Sequence, residues 1–325
     1  MAIKSYKGFD KNLRCRDFQY KIGGIYEMDG EIKVCSRGFH ACESPFDVFD
    51  YYTMIDSRFC EVEQDGNISK EDRRTKICSS KIKIKTELKL ADMINLGIEW
   101  LKEITLPEKI KTSIKDNSSG NYAQIGSSGD GAKIGSSGNN AQIGSSGNNA
   151  KIGSSGYDAK IGSSGYDAKI GSSGYDAKIG SSGYDAQIGS SGNNAQIGSS
   201  GYDAKIGSSG YDAQIGSSGN NAQIGSSGNN AKIGSSGDRA KIGSSGNNAK
   251  IDSTGKDCVI MCAGINSVAK ASKGSWITLS EWSYSEGKQR YIPICVKTEF
   301  VDGEKIKADT YYSLKGGVFV EWIND

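Results

Sequence analysis

The sequence predicts a mainly β protein, in which a β-solenoid or β-roll of nine-residue repeats lies between an N-terminal α+β domain and a small C-terminal β-meander. The repeat runs from about Asn117 to Gly255 and holds most of the 44 glycines. The segments on either side lack this period and carry ordinary helix and strand patterns. The predicted domains are therefore residues 1–112, 117–273 and 274–325.

The N-terminal segment contains strand and helix signals. Lys81–Lys85 alternates polar and apolar residues, as a half-buried strand does. Leu90–Ile104 has apolar residues at helical spacing, and Pro107 lies just past its end. A second, short helix is predicted to run to Tyr51, because Ser44 is a typical N-cap and the proline that follows it suits the first turn.

The C-terminal segment predicts four short strands, with Lys315–Gly317 as a hairpin turn between the last two. The strands are expected at Trp276–Leu279, Tyr291–Val296, Tyr311–Leu314 and Val318–Trp322.

The repeating unit is Ala-(Lys/Gln)-Ile-Gly-Ser-Ser-Gly-(Asn/Tyr)-(Asn/Asp), and Ile recurs at every ninth position from Ile125 to Ile251. Alternate side chains of an extended segment point the same way, so Ala and Ile face inward and Lys or Gln faces solvent. Gly-Ser-Ser-Gly supplies a bend that tolerates positive φ, and the Asn or Asp after it suits a turn.

One unit buries too little apolar surface to be stable alone, so the copies must stack. A disordered linker would have no need for Ile and Ala at fixed positions. Cys258 and Ile260 continue the Ala and Ile positions beyond the regular repeat.

The number of units in each coil is open between two and three. Every third unit from Asp130 onward carries Asp in its turn, which favours three, although duplication of blocks of three units would leave the same trace. On the other side, Asn-Asn-Ala-(Lys/Gln)-Ile-Gly-Ser and Asn266–Ala269 resemble the Asn-Ser-Val-Ala-Ile-Gly repeats of trimeric autotransporter adhesin heads. Those heads are left-handed β-rolls with two strands per coil and a shorter repeat. The resemblance favours a two-strand roll here.

Composition argues against several classes of partner. The chain carries 40 basic and 38 acidic residues, so its net charge of +2 gives no sign of a nucleic-acid-binding face or of an acidic DNA mimic. The first residues contain no apolar signal sequence, and no apolar run is long enough to cross a bilayer. The eight cysteines are therefore expected to be reduced thiols in a host cytoplasm. No cofactor is predicted.

Six tyrosines occupy corresponding turn positions and are the main predicted binding residues: Tyr157, Tyr166, Tyr175, Tyr184, Tyr202 and Tyr211. They would form an aromatic ladder for a protein or glycan partner, or else simply cover the edge of the coil.

The turns also match part of a calcium-binding nonapeptide, as in Gly171–Asp176. However, Ser replaces the second Gly of that motif, many units have Asn for Asp, and the apolar residues lie beside the expected position. Ordinary turn chemistry is favoured over calcium binding.

His40 is the only histidine and lies between Cys35 and Cys42. Histidine and thiolates can bind zinc, but this spacing is not that of a standard zinc knuckle. A Cys–His nucleophile pair lacks an orienting group. The favoured interpretation is a packed strand, Gly38–Cys42, with buried thiols. His40 is kept as a candidate binding residue, and no catalytic or metal-ligating residue is predicted.

Both ends of the chain resemble an uncharacterised family. Its N-terminal motifs are Tyr6–Asp10, Cys15–Tyr20 and Gly38–Pro45, and its C-terminal motifs are Gly274–Ile277 and Asp302–Tyr312. They are similar to a domain that begins many phage and prophage proteins, and to the short tail that follows their Gly- and Ala-rich repeats. The resemblance implies a viral origin and brings no known activity. Gly38–Tyr52 is also weakly similar to ADP-ribosyltransferase-like folds, without a matched catalytic Glu.

The function expected from these features is a non-enzymatic phage or prophage binding or scaffold protein, which sequesters or inhibits a host protein, for example a defence component. The alternatives are an adhesin-like, trimeric virion or surface protein, an enzyme centred on the N-terminal domain, and an ice-binding protein. The flanking domains are expected to cap the solenoid, because its end strands would otherwise be open edges.

Overall fold

The computed structural model describes residues 2–54, 56–70, 75–104, 117–118 and 120–323. The described chain is mainly β and contains a solenoid of about nine turns, which confirms the predicted fold class. It forms two compact units, Met1–Trp100 and Leu101–Asp325. None of the helices in these ranges is long and apolar enough to cross a membrane.

The first unit is a small antiparallel sheet with a 3-10 helix at Pro45–Asp50 and an α-helix, α1, at Leu90–Ile104. Strand β1 pairs with β5 and β6, and β7 also pairs with β5 and β6, so these four strands close into a ring. The strands are β1 Ile3–Phe9, β2 Arg14–Cys15, β3 Phe18–Gln19, β4 Ile25–Glu27, β5 Phe39–Cys42, β6 Arg58–Lys70 and β7 Lys76–Leu88.

Helix α1 packs closely on the 3-10 helix. Gly97 makes this possible, because a Cβ atom at this position would lie 2.8 Å from the ring of Phe46. Met93 and Ile94 are also fully buried on this helix. The predicted strand at Lys81–Lys85 and the predicted helix are both confirmed, while Pro107 lies outside the described residues.

The predicted cap at Ser44 is wrong. The short helix is present as the 3-10 helix Pro45–Asp50, but the hydroxyl of Ser44 makes no cap hydrogen bond to it. The backbone carbonyl of Ser44 accepts the amide of Asp47 instead, at 3.2 Å. The side chain of Asp47 accepts a hydrogen bond from Thr75 Oγ1 at 2.5 Å.

The solenoid consists of short parallel strands that stack into two sheets, with alternate strands in each. Its strands are β8 Asn117–Ser118, β9 Gln124–Ser127, β10 Lys133–Ser136, β11 Gln142–Ser145, β12 Lys151–Ser154, β13 Lys160–Ser163, β14 Lys169–Ser172, β15 Lys178–Ser181, β16 Gln187–Ser190, β17 Gln196–Ser199, β18 Lys205–Ser208, β19 Gln214–Ser217, β20 Gln223–Ser226, β21 Lys232–Ser235, β22 Lys241–Ser244, β23 Lys250–Ser253, β24 Val259–Cys262 and β25 Val268–Ala271.

Two units make one coil. Ile170 pairs with Ile188 of the next coil, 18 residues later, and the same register holds along both sheets. The predicted two-strand roll is confirmed, and the alternative of three units is wrong. With two units per coil, the Asp residues of every third unit lie alternately on opposite edges of the roll. Their spacing of three units is therefore not explained by the size of the coil.

Ala and Ile face the core, as predicted. Ala159 and Ile161 are fully buried, and Cys258 and Ile260 continue their columns. Identical side chains stack above one another in each sheet, so the apolar residues of each coil pack against those of the coils on either side. Lys or Gln was expected to face solvent. This expectation is wrong at Lys178 and Gln196, whose side chains are buried.

The turns use the glycines differently from the sequence prediction. Asn and Asp at the ninth position adopt the left-handed conformation, with φ of 53° at Asp158 and 56° at Asn194. The glycine two residues earlier does not. It is required because successive coils touch there: a Cβ at Gly192 would lie 1.9 Å from the carbonyl oxygen of Gly174 in the coil before. The glycine thus permits close backbone approach, whereas Asn and Asp supply the positive φ.

A column of serines also faces inward, beside the Ile column. The hydroxyl of Ser199 is fully buried and has no hydrogen-bond partner among the described atoms. A buried hydroxyl without a partner loses its hydration and gains no hydrogen bond in the folded state.

We expect Ser199→Ala to stabilise the protein by about 1 kcal/mol, measured as a higher denaturant midpoint. Ser172 is the control, because its hydroxyl accepts the amide of Gly174 at 3.3 Å. A midpoint that rises equally in Ser172→Ala would contradict this explanation.

The four C-terminal strands continue the two solenoid sheets. They are β26 Trp276–Ser285, β27 Arg290–Phe300, β28 Tyr312–Lys315 and β29 Val318–Glu321, with a 3-10 turn at Glu286–Lys288. Strand β26 lies parallel to β24 and β27 pairs with β26, whereas β28 and β29 extend the sheet that ends in β25. The predicted hairpin turn is present, with positive φ at Gly316 and Gly317.

Candidate functional site

The six tyrosines lie at the turns, on two opposite edges of the roll. Since consecutive units lead into alternate sheets, the turns of odd and even units are on different edges. One edge carries Tyr157, Tyr175 and Tyr211, and the other carries Tyr166, Tyr184 and Tyr202. The predicted single ladder is therefore divided into two sets.

Within each edge, adjacent tyrosines stack. Tyr166 and Tyr184 have ring centroids 5.2 Å apart, and Tyr184 and Tyr202 are 5.3 Å apart, with interplanar angles of 10° and 8°. On the other edge, Tyr157 and Tyr175 stack at 5.4 Å, while Tyr211 stacks on no ring of the described residues. The rings remain 43–55% exposed, so each stack presents aromatic surface to solvent.

Asn takes the place of Tyr in other units and makes a different contact between coils. The Oδ1 atom of Asn139 accepts the amide of Tyr157, 18 residues later, at 2.9 Å, and Asn193 does the same for Tyr211. An asparagine at this position thus adds a hydrogen bond between coils, whereas two successive tyrosines stack. These contacts account for the turn residues as ordinary turn chemistry.

The open face of one sheet carries a shallow trough that sequence reasoning missed. Its volume is about 980 Å³, and Lys and Gln side chains border a floor of glycines, including Gly171, Gly189 and Gly207. A Cβ at any of these three positions would meet nothing within 4 Å. The alternation of side chains along the strand could have predicted the glycine floor, because the fourth residue of each unit faces outward and is Gly in every unit before Asp252.

His40 lies in β5 of the first unit and acts there as a hydrogen-bond acceptor. Its Nε2 accepts the backbone amide of Cys35 at 3.0 Å. Burial lowers the pKa of His40, and the positive charges of Lys76 and Lys7 lower it further. The imidazole is therefore expected to be neutral at pH 7, in keeping with its role as an acceptor.

The three residues considered for zinc do not form a ligand set. The thiol of Cys35 lies 3.3 Å from the ammonium nitrogen of Lys76, while Cys42 is buried in β5. Over the described residues, no group of three or more His, Cys, Asp or Glu side chains is placed to hold a metal ion. This applies to the Asp-containing turns of the solenoid as well as to His40.

The backbone of β5 borders a cavity of about 1060 Å³ in the first unit. His40 lines it together with Lys7, Arg16, Tyr20 and Tyr52, which lie in the motifs quoted above but were not predicted as binding residues. These side chains come from β1, the β2–β3 hairpin and the segment after the 3-10 helix. The motifs that contain them were recognised in the sequence, but their spacing along the chain did not show that they meet at one cavity.

Comparison with known proteins gives one match. No curated protein and no solved structure is significantly similar to the chain. The match covers the first unit and leaves the solenoid and the C-terminal strands outside it. Residues 3–96 are similar to a family described only as a domain of unknown function, DUF7666.

Proposed function

We propose that this chain is a non-enzymatic binding or scaffold protein, whose solenoid presents tyrosine stacks to a protein partner. The observation that supports it is the pair of exposed stacks, Tyr166–Tyr184–Tyr202 on one edge and Tyr157–Tyr175 on the other. Tyrosine gives a large amphipathic contact area at a low cost in side-chain entropy.

The stacks are held in place before any partner binds. Each ring sits on a turn whose next residue is fixed by a backbone hydrogen bond to the following coil, as from the amide of Asp167 to the carbonyl of Tyr184 at 2.9 Å. The neighbouring ring further restricts its rotation. A surface that is ordered in advance loses less entropy on association, so more of the contact energy appears as affinity.

The resemblance of both ends to phage and prophage proteins supports a partner in an infected or lysogenic bacterium. On this proposal the partner is a host protein, for example a defence component that the solenoid sequesters in the host cytoplasm. An adhesin-like virion protein is the runner-up. Light scattering separates the two, because the adhesin-like protein would be a trimer, and so does mass spectrometry of purified virions.

The tyrosine stacks can be removed without removing the fold, because Asn occupies the same position in other units. We expect the triple variant Tyr166→Asn, Tyr184→Asn, Tyr202→Asn to lose the partner, with a loss of binding energy of roughly 1–2 kcal/mol per tyrosine. The measurement is quantitative mass spectrometry of host proteins retained by the wild type and by the variant.

The matched control changes three exposed polar side chains of the same coils, Lys169→Ser, Gln187→Ser and Lys205→Ser, on the face of the trough. This control should retain the partner. If the tyrosine variant has the wild-type thermal midpoint and still retains every protein that the wild type retains, the Tyr166–Tyr184–Tyr202 stack is not the binding surface, and the same test with Tyr157→Asn and Tyr175→Asn decides for the other edge.

A further inference from the structure

The cavity of the first unit contains a buried cation without an anionic partner. Lys7 is only 5% exposed, and its ammonium nitrogen donates to the carbonyl of His40 at 2.8 Å and lies 3.5 Å from Cys15 Sγ. No Asp or Glu among the described residues forms an ion pair with it. Burial lowers the pKa of Lys7, because little water reaches the ammonium group. A buried ammonium is costly unless an anion accompanies it.

Two further cations line the same cavity. Arg16 is at the turn of the β2–β3 hairpin, where its φ of 54° holds it in the left-handed conformation, and it forms no ion pair within the described part of the chain. Its charge lowers the pKa of both Lys7 and His40, so it adds to the positive potential there. Lys76 lies over the ring of Tyr51 at 4.5 Å.

Two carboxylates also line the cavity. Glu27 pairs with Lys81, at 3.4 Å, and Asp17 is exposed at the hairpin turn beside Arg16. A guanidinium and ammonium groups that converge on one space suit a multiply charged anion, because phosphate oxygens accept several charge-assisted hydrogen bonds at once.

An aromatic cluster lines the same cavity and reaches the cations, since the ammonium of Lys7 lies 5.7 Å from the centroid of Tyr20. Phe18 contacts Tyr20 and Tyr26 with centroids 4.8 and 5.4 Å apart, and these two tyrosines are 5.0 Å apart. Phe18 remains 47% exposed and Ile25 57% exposed, although both line the cavity. Such a cluster offers contact to a flat apolar ring, and aromatic rings gain from stacking or edge contacts.

We propose that this cavity is a binding site for a nucleotide, with the base against Phe18 and Tyr26 and the phosphates at Lys7 and Arg16. The volume of about 1060 Å³ is large enough for such a ligand. The aromatic cluster suits a ring and the cations beside it suit an anion of more than one charge, and a nucleoside diphosphate combines both. This site is separate from the solenoid stacks and does not depend on the role proposed for them.

Isothermal titration calorimetry of the full chain tests the proposal with ADP, GDP, CDP and UDP, and with adenosine and inorganic pyrophosphate as half-ligands. At least one nucleoside diphosphate should bind at least tenfold more tightly than either half-ligand. Absence of binding by all four diphosphates at millimolar concentration overturns the proposal, and so does pyrophosphate binding as tightly as the best of them.

Two variants and a control locate the site. Lys7→Met removes the buried charge, and Arg16→Asn keeps a residue that tolerates positive φ. Each should weaken the best diphosphate at least tenfold, while Lys7→Met unfolds at the same or a higher temperature. Lys83→Met, in the same unit but outside the cavity lining, should leave the affinity unchanged. Equal weakening by Lys83→Met, or no weakening by the first two variants, places the ligand elsewhere and overturns the proposal.

Discussion

Gly192→Ala is expected to destabilise the solenoid by roughly 3 kcal/mol or more, the upper range for overpacking a rigid interior. The added methyl group would lie 1.9 Å from the carbonyl oxygen of Gly174 and 2.6 Å from its carbonyl carbon. Both contacts are with backbone, so no side chain can rotate away. Local relief is also limited, because Gly210 makes the same contact with Gly192 one coil later.

Gly189 provides the matched control, three residues earlier in the same unit. A Cβ at this position would meet nothing within 4 Å, and its φ is not in the left-handed region. Gly189→Ala should therefore be neutral or slightly stabilising, since alanine loses less entropy on folding. Denaturant unfolding followed by circular dichroism measures both variants. Equal midpoints for the two would show that the coils can separate locally, against the close contact described.

Deletion of residues 274–325 is expected to cause aggregation of the remaining chain. The deleted strands bury Ile277, Leu279, Val301, Tyr312 and Leu314 in the same core cluster as the last coils. At about 2 kcal/mol for each large apolar side chain, their removal costs on the order of 10 kcal/mol. It also leaves β24 and β25 as open edges, which pair readily with other chains.

Light scattering after size-exclusion chromatography measures the outcome against the full-length chain. A point variant tests the same idea without deletion: Leu279→Lys places a charge at a position that is 1% exposed, whereas Val296→Lys places it on an outward position that is 64% exposed. Only the first should aggregate. If the deleted chain keeps the oligomeric state and the solubility of the full-length protein, the C-terminal strands are not a cap.

The sequence was most informative where identical side chains recur. The inward columns of Ala159 and Ile161 and the strand positions followed from periodicity alone, because side-chain alternation in a strand is geometric. The number of units per coil could not be derived from periodicity, since coils of two or three units produce the same sequence pattern. The Asp residues of every third unit pointed to the wrong answer, and only the pairing of Ile170 with Ile188 decides it.

The candidate sites were less predictable. The exposure of Tyr184 at a turn could be foreseen, but its separation from Tyr175 onto another edge depends on the coil size. Lys7 and Arg16 were named only as members of family motifs. The burial of Lys7 without an anion is a property of the folded chain and could not be read from the sequence. Conversely, Cys35 and Cys42 stood out by spacing, although Cys35 Sγ contacts Lys76 rather than a metal ligand set.

Because one coil contains two units, an even and an odd change in the number of repeats have different structural effects. Gain or loss of two units adds or removes one whole coil and leaves every later strand in its own sheet. Gain or loss of a single unit would shift every later strand to the opposite sheet, so that β26 would continue the other face. The C-terminal strands would then be turned by about half a revolution around the long axis, and each tyrosine beyond the change would move to the other edge. Copy number can therefore vary in pairs without altering what either edge displays, whereas an odd change exchanges the two edges.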